Sequence, residues 1–243
     1  MFRKIFPYCL VMFVLVGGLG YTEGYTPRVG EVLEYKVIVK SAIHGGNQKV
    51  QVLSKDIYNG REVYRIHSEM LTVGLAKTLF RFQQEEDLIL DAEGLYPLFI
   101  KKKTQERKET KIEEVSFDYV NKIAIRLYTK NDEPQKCKEI ALPGFIQDEL
   151  SIQFFLRKNQ TMNSENKIFY YGNGKIDEKC FKVSQVDQEI NLDCGDFSRY
   201  IQIIDDISNF SVYVSDTPER LPLVVKTKGN IGLIEMKLVK VNY

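Results

Sequence analysis

From Val32 onward, apolar and polar positions alternate in short runs, and each run ends in turn residues. Val32–Lys40 (VLEYKVIVK) begins the series and Val50–Ile57 (VQVLSKDI) follows. This period of two predicts strands with one face turned to a core. Asn59-Gly60 is the strongest hairpin signal, because both central positions of a type I′ turn need positive φ. Glu62–Met70 is its return strand, and Thr78–Leu90 the next. Asp91–Gly94 turns the chain into Tyr96–Lys103, and Val115–Tyr119 and Lys122–Thr129 flank a turn at Asn121. Later turns are marked by Gly172-Asn-Gly174, Cys194-Gly-Asp196, Asp216-Thr-Pro-Glu219 and Lys228-Gly-Asn230. Strands are expected over Phe181–Ile190, Arg199–Ile204, Phe210–Val214, Leu221–Lys228 and Leu233–Val241.

Two segments break the alternation. Asp148–Lys158 (DELSIQFFLRK) places Leu150, Phe154 and Phe155 on one helical face, with Asp148 as N-cap after Pro143-Gly144. Leu71–Lys77 (LTVGLAK) is the candidate for a second, shorter helix. No repeat, low-complexity tract or linker divides the chain. The expected fold class is therefore all-β and mainly antiparallel: a strongly curved sheet, half-barrel or barrel with one short α-helix packed against it. Many consecutive antiparallel strands must hide their edges, by curling or by stacking.

The N terminus changes the picture of where the chain works. Arg3 and Lys4 precede an almost wholly apolar run, Ile5–Leu19, and Gly18-Leu19-Gly20 supplies small residues for cleavage. This is the build of a secretory signal peptide. Residues 1–20 are expected to be removed, with cleavage as late as 24 allowed, leaving 25–243 as one β domain in the periplasm. The alternative is an uncleaved anchor in the inner membrane, although the run is shorter than the roughly 20 residues a span needs. Cys9 lies inside the run, without the small residues of a lipobox before it. No transmembrane segment is expected after cleavage.

Charge excludes one class of partner. The chain carries 34 Lys+Arg against 33 Asp+Glu, and near-neutrality leaves no electrostatic footprint for nucleic acid. The mixed-sign stretch Lys101–Glu114 reads as the solvated tip and outer face of a hairpin rather than a docking patch. Cys137, Cys180 and Cys194 survive cleavage and allow at most one internal disulfide, whose pairing stays open. Their spacing fits no zinc motif. His44, before Gly45-Gly46, and His67, beside Arg65 and Glu69, read as exposed residues. There is no nucleophile elbow, phosphate loop or metal-spaced cluster, so no catalytic residue, metal or cofactor is expected. Asp205-Asp206 reads as turn chemistry. Fourteen Tyr and fourteen Phe, with no Trp, supply a core or line an apolar cavity; a small barrel can do either.

Several motifs together resemble the DUF3108 family of exported bacterial proteins. They are Gly30-Glu31-Val-Leu33-Glu-Tyr35; Leu95-Tyr-Pro97-Leu98; Leu142-Pro143-Gly144-Phe-Ile-Gln147-Asp148-Glu-Leu150-Ser151 continuing to Phe154-Phe155-Leu156-Arg157; and Arg220-Leu221-Pro222-Leu-Val224 with Ile231-Gly232. The family's Thr-x-Ala-Gly-x-Phe turn is replaced here by Asp193-Cys194-Gly195-Asp196-Phe197, and the cysteine that follows it falls near Arg199. The resemblance implies a curved antiparallel sheet with a helix against it, similar in architecture to half-barrels that carry lipids or lipoproteins, and it brings no catalytic residues. Two functions are expected from these readings. One is a non-catalytic envelope protein that binds an apolar small molecule or lipid. The other is an envelope interaction module with a protein partner and no cavity. The candidate ligand or cap cluster is Gln147, Asp148, Ser151, Phe154, Phe155 and Arg157.

Overall fold

The structure, a computed structural model, describes residues 25–39, 43–160, 162, 165–205, 210–229 and 232–243. The expected leader, Asp206, Asn230 and Ile231 lie outside them.

The first arm is an up-and-down series: β1 (Val32–Val39), β2 (Ile43–Tyr58), β3 (Arg61–Thr72), α1 (Gly74–Leu79), β4 (Phe82–Asp91), β5 (Pro97–Glu106), β6 (Glu109–Asp118), β7 (Ile123–Lys130) and β8 (Lys136–Ala141). The second comprises β9 (Ile146–Gln147), α2 (Ser151–Lys158), β10 (Glu165–Gly172), β11 (Lys175–Val186), β12 (Ile190–Leu192), β13 (Gly195–Phe197), β14 (Tyr200–Asp205), β15 (Phe210–Ser215), β16 (Pro222–Gly229) and β17 (Gly232–Asn242). Fifteen of these strands form one sheet, ordered β8-β7-β6-β5-β4-β3-β2-β1-β17-β16-β15-β14-β11-β10-β9, and β12-β13 form a small separate hairpin. The expected all-β, strongly curved architecture is what the chain adopts. Antiparallel β1–β17 pairing joins the two arms.

The sheet is not closed by a ladder. Its two ends approach through side chains instead. Tyr171 Oη donates to Glu113 Oε1 at 2.6 Å, Lys138 Nζ donates to the Gly174 carbonyl at 3.3 Å, and the Phe117 and Tyr171 rings meet edge-on at 5.8 Å. Gly174, at φ 74°, fits here because a Cβ would stand 2.7 Å from the Arg126 guanidinium.

Alternation explains the core. Leu33, Tyr35 and Val37 of β1 point inward with Ile66, Leu88, Leu90, Ile100, Val115 and Ala124. The concave face is filled by α2, whose Ile152, Phe154 and Leu156 are buried in the same core as Leu150 just before it. Truncating Phe154 to Ala in such a setting costs about 3–5 kcal/mol.

Three local expectations need correction. Gly45-Gly46 is not a turn but part of β2, which starts at Ile43; Gly46 tolerates the close approach of the Leu71 carbonyl because it lacks a Cβ. The short helix runs Gly74–Leu79 rather than Leu71–Lys77, since Leu71 and Thr72 still pair with β2. Thr78 and Leu79 are accordingly helical, and β4 begins at Phe82. Strand β8 carries no alternating signal because it is a nearly bare edge, paired only with β7.

Candidate functional site

Period two on β4–β7 sets the inner face. On β4, Glu86 has the same parity as Leu88 and Leu90; on β5, Lys102 has the parity of Ile100. Glu86 stands opposite Lys102, Lys102 opposite Glu113, and Glu113 opposite Tyr128. The inner face is thus apolar toward one end, at Leu88, Ile100, Val115 and Ala124, and polar toward the other. Above this polar belt sit β10 and the start of α2. Between them lies a cleft of about 480 Å³, lined among others by Phe82, Lys102, Arg126, Tyr128, Asp148 and Tyr170.

The head of α2 fixes the acidic side of the cleft. The Ser151 amide donates to Asp148 Oδ1 at 2.9 Å, and the Asp148 amide donates to Ser151 Oγ at 2.8 Å. This reciprocal pair, with the Ile152 amide donating to the Asp148 carbonyl at 3.1 Å, is a capping box built from Asp and Ser. Lys102 Nζ contacts Glu86 Oε2 at 2.9 Å and Glu149 Oε2 at 3.4 Å. Glu86 is almost fully buried. Burial pushes its carboxyl well above the usual range, against the pull of Lys102, and the charge of the neighbouring Asp148 carboxyl raises it further. Oε1 of Glu86 and Oδ2 of Asp148 are both buried without a hydrogen-bond partner among the described residues. Lys102 stays a cation: burial opposes its charge, but Glu86, Glu149 and Asp148 raise its pKa.

The facing wall is a second network. Arg126 Nε donates to Glu113 Oε1, which also accepts from Tyr171 Oη, and the guanidinium lies 4.5 Å over the Tyr128 ring. Burial disfavours the Arg126 cation, but the Glu113 contact outweighs it and raises the pKa. Each cation of the cleft is therefore engaged by a carboxylate, beside aromatic faces and hydrogen-bonding groups. Another cleft, of about 460 Å³, sits at the opposite end of these strands around the β6–β7 turn; it has no comparable buried charge in its lining.

The six residues expected to cluster are split along α2. Asp148 lines the cleft, Ser151 completes its cap, and Gln147 is buried on β9 with Oε1 unpaired. Phe154 is core, and Phe155 packs against it, partly buried. Arg157 belongs to the other end. It donates to both carboxylate oxygens of Glu31, at 2.6 and 2.9 Å, and to the Glu219 carbonyl at 3.0 Å, with its guanidinium 3.9 Å from the Tyr25 ring. Glu86, Lys102, Glu113 and Arg126 were missed by sequence reading, although their inner-face parity was available.

His67 is held on the surface by Asp87 (Nδ1, 2.7 Å) and Glu69 (Nε2, 3.2 Å). The three thiols are free in the structure, Cys137 being exposed. Among the described residues, no group of three or more His, Cys, Asp or Glu is gathered for a metal, and no helix is long and apolar enough to cross a membrane.

Fold and site together define a class: a single-sheet, barrel-like β protein, its concavity filled by a short helix and a polar cleft at that helix's head. The chain belongs to the family of proteins of unknown function DUF3108, whose pattern matches residues 34–239. Among solved structures, it is similar to a beta-barrel-like protein of a domain of unknown function, DUF1849, from Brucella abortus (TM-score 0.57, 11% identity, covering 90% of this chain and 99% of that one). That likeness is one of fold. A protein of Parabacteroides distasonis, provisionally named a lipoprotein, is more distant in shape (TM-score 0.34, 10% identity, 90% and 97% covered). No curated protein matches in sequence.

Proposed function

We propose that this protein is an exported, non-catalytic binding protein of the cell envelope whose cleft takes a neutral, hydroxyl-rich ligand of saccharide type. One observation carries the reading: buried polar groups converge on an aromatic-walled cleft, while the concave interior that an apolar cargo would need is filled by α2. Lys102, Lys111 and Arg126 are already engaged by carboxylates, so the cleft offers no free cation to an anionic ligand. Tyr128 and Tyr170 offer flat faces, and the Lys102, Arg126, Glu113 and Asp148 network offers fixed donors and acceptors, as small-ligand sites generally do. Export rests on the N-terminal pattern Arg3 to Gly20.

The test is native mass spectrometry and calorimetric titration of the exported protein with neutral oligosaccharides, including peptidoglycan fragments. Binding at one site is expected, weakened roughly tenfold in Tyr128→Ala by loss of an aromatic wall. A protein that ignores every saccharide and instead arrives with bound lipid would restore the apolar-carrier function. A second reading has its own support. Strand β8 presents an unpaired, exposed edge, suited to adding a strand from an envelope partner. Binding of no small molecule, with a crosslinked partner at β8, would favour it.

A further inference from the structure

Helix α1 lies alongside β2. None of its residues is buried; Leu75 and Leu79 are each 81% exposed, and Leu71, at the end of β3, is 41% exposed. Leu75 and Leu79, four residues apart on α1, share one side of the helix, and Leu71 is exposed on the strand that leads into it. A six-residue helix is far too short to be stable alone, so an apolar side left in water calls for a covering surface. Ile43, at the start of β2, adds a further exposed apolar group, because β2 reaches α1 through the Val73 amide, which donates to the Gly45 carbonyl at 3.1 Å.

The lobe itself carries only cations, with Glu69 and Glu85 on the strands beside it. Leu71–Phe82 contains Lys77 and Arg81 and no acidic residue. The β5–β6 turn, tied on by the Arg107 amide donating to the Arg81 carbonyl at 2.7 Å, adds Arg107 and Lys108, with Arg107 5.4 Å over the Phe80 ring. All four cations are exposed. Of the nearby anions, Glu106 is held by Lys111 at 3.2 Å, Glu109 by Lys130 at 2.7 Å and Glu69 by His67 at 3.2 Å. None of the four cations makes an ion pair among the described residues. Exposed leucines beside four cations without ion pairs match an anionic bilayer, whose interface accepts the leucines and whose head groups accept the charge.

We propose that the α1 lobe docks on the surface of an anionic lipid membrane, with Leu71, Leu75 and Leu79 in the interface and Lys77, Arg81, Arg107 and Lys108 among the head groups. Phe82, stacked on Phe80, also lines the cleft, so a seated lobe sets the cleft beside those head groups. The docking itself does not depend on what the cleft binds.

The absence of tryptophan allows a reporter confined to the lobe. Leu79→Trp is introduced in the exported protein, and its emission is read with phosphatidylglycerol/phosphatidylethanolamine vesicles and with phosphatidylcholine vesicles. The expected result is a blue shift with the anionic vesicles, reversed by salt and small with the neutral ones. Adding Lys77→Gln and Arg81→Gln weakens binding roughly thirtyfold at low salt, at about a factor of five per cation. A reporter that stays solvent-exposed while the protein sediments with vesicles overturns the proposal by placing the contact elsewhere. A blue shift that grows with protein concentration without lipid overturns it in favour of a second copy. Because α1 buries nothing, thermal melting of each variant is expected to match wild type; this separates lost docking from lost folding.

Discussion

Glu86 faces the same core as Leu88 and yet carries an ionisable group, and the consequence is a pH dependence of stability. Its folded pKa is raised above the ordinary 4.5 by burial first and by Asp148 next. A carboxyl raised in the folded state contributes stability that is fully present below the unfolded value and is lost as pH rises toward the folded one. Glu86→Gln removes the titration. Urea midpoints measured from about pH 4 to about pH 8 are expected to show the variant gaining on wild type as pH rises, levelling off beyond the folded pKa. A constant difference across that range would mean that Glu86 is ionised in the fold, held by Lys102 alone.

The head of α2 shows how local chemistry and tertiary position divide the labour in one element. Ser151→Ala removes the hydroxyl that accepts the Asp148 amide, without touching Glu86, so the expected loss is about 1 kcal/mol in chemical denaturation. Asp148→Ala is expected to cost at least as much, because it removes the carboxylate that accepts the Ser151 amide. The cap was legible from sequence, since Asp148 precedes a helical spacing of Leu150, Phe154 and Phe155. The strands were legible too, and the Asn59-Gly60 turn has the positive φ values, 50° and 77°, that its residue types imply. The polar belt of the cleft was hidden by a bias in reading alternation: apolar residues are assigned inward and charged ones outward. In FQQEEDLIL the parity set by Leu88 and Leu90 already puts Gln84 and Glu86 inside. What no local pattern holds is which distant strands curl to face them. No local pattern pairs Arg157 with Glu31, which lies 126 residues away.

Across the whole molecule, that pair ties together the helix end, the lead-in to β1 and the β15–β16 turn. Both side chains are nearly inaccessible, at 1% and 3% exposure. Removing one partner leaves the other charged and buried, so Arg157→Met and Glu31→Gln are each expected to cost about 3–5 kcal/mol. Arg157→Met with Glu31→Leu is expected to recover much of that loss, as measured by thermal melting. If the single substitutions are silent, water reaches this pole of the sheet and the pair is only a surface contact.

The order of strands also governs how the chain can assemble. Within each arm, most partners are sequence neighbours and can zip as they meet, but β1 waits for β17, some two hundred residues later. Closing so long a loop is slow relative to hairpin formation. During synthesis or export, β1 through β8 can form while the outer side of β1 stays an open template for stray pairing. The last strand is thus a guard as well as a staple, and a chain that stops short of Gly232 would be left with its most central strand as a sticky edge.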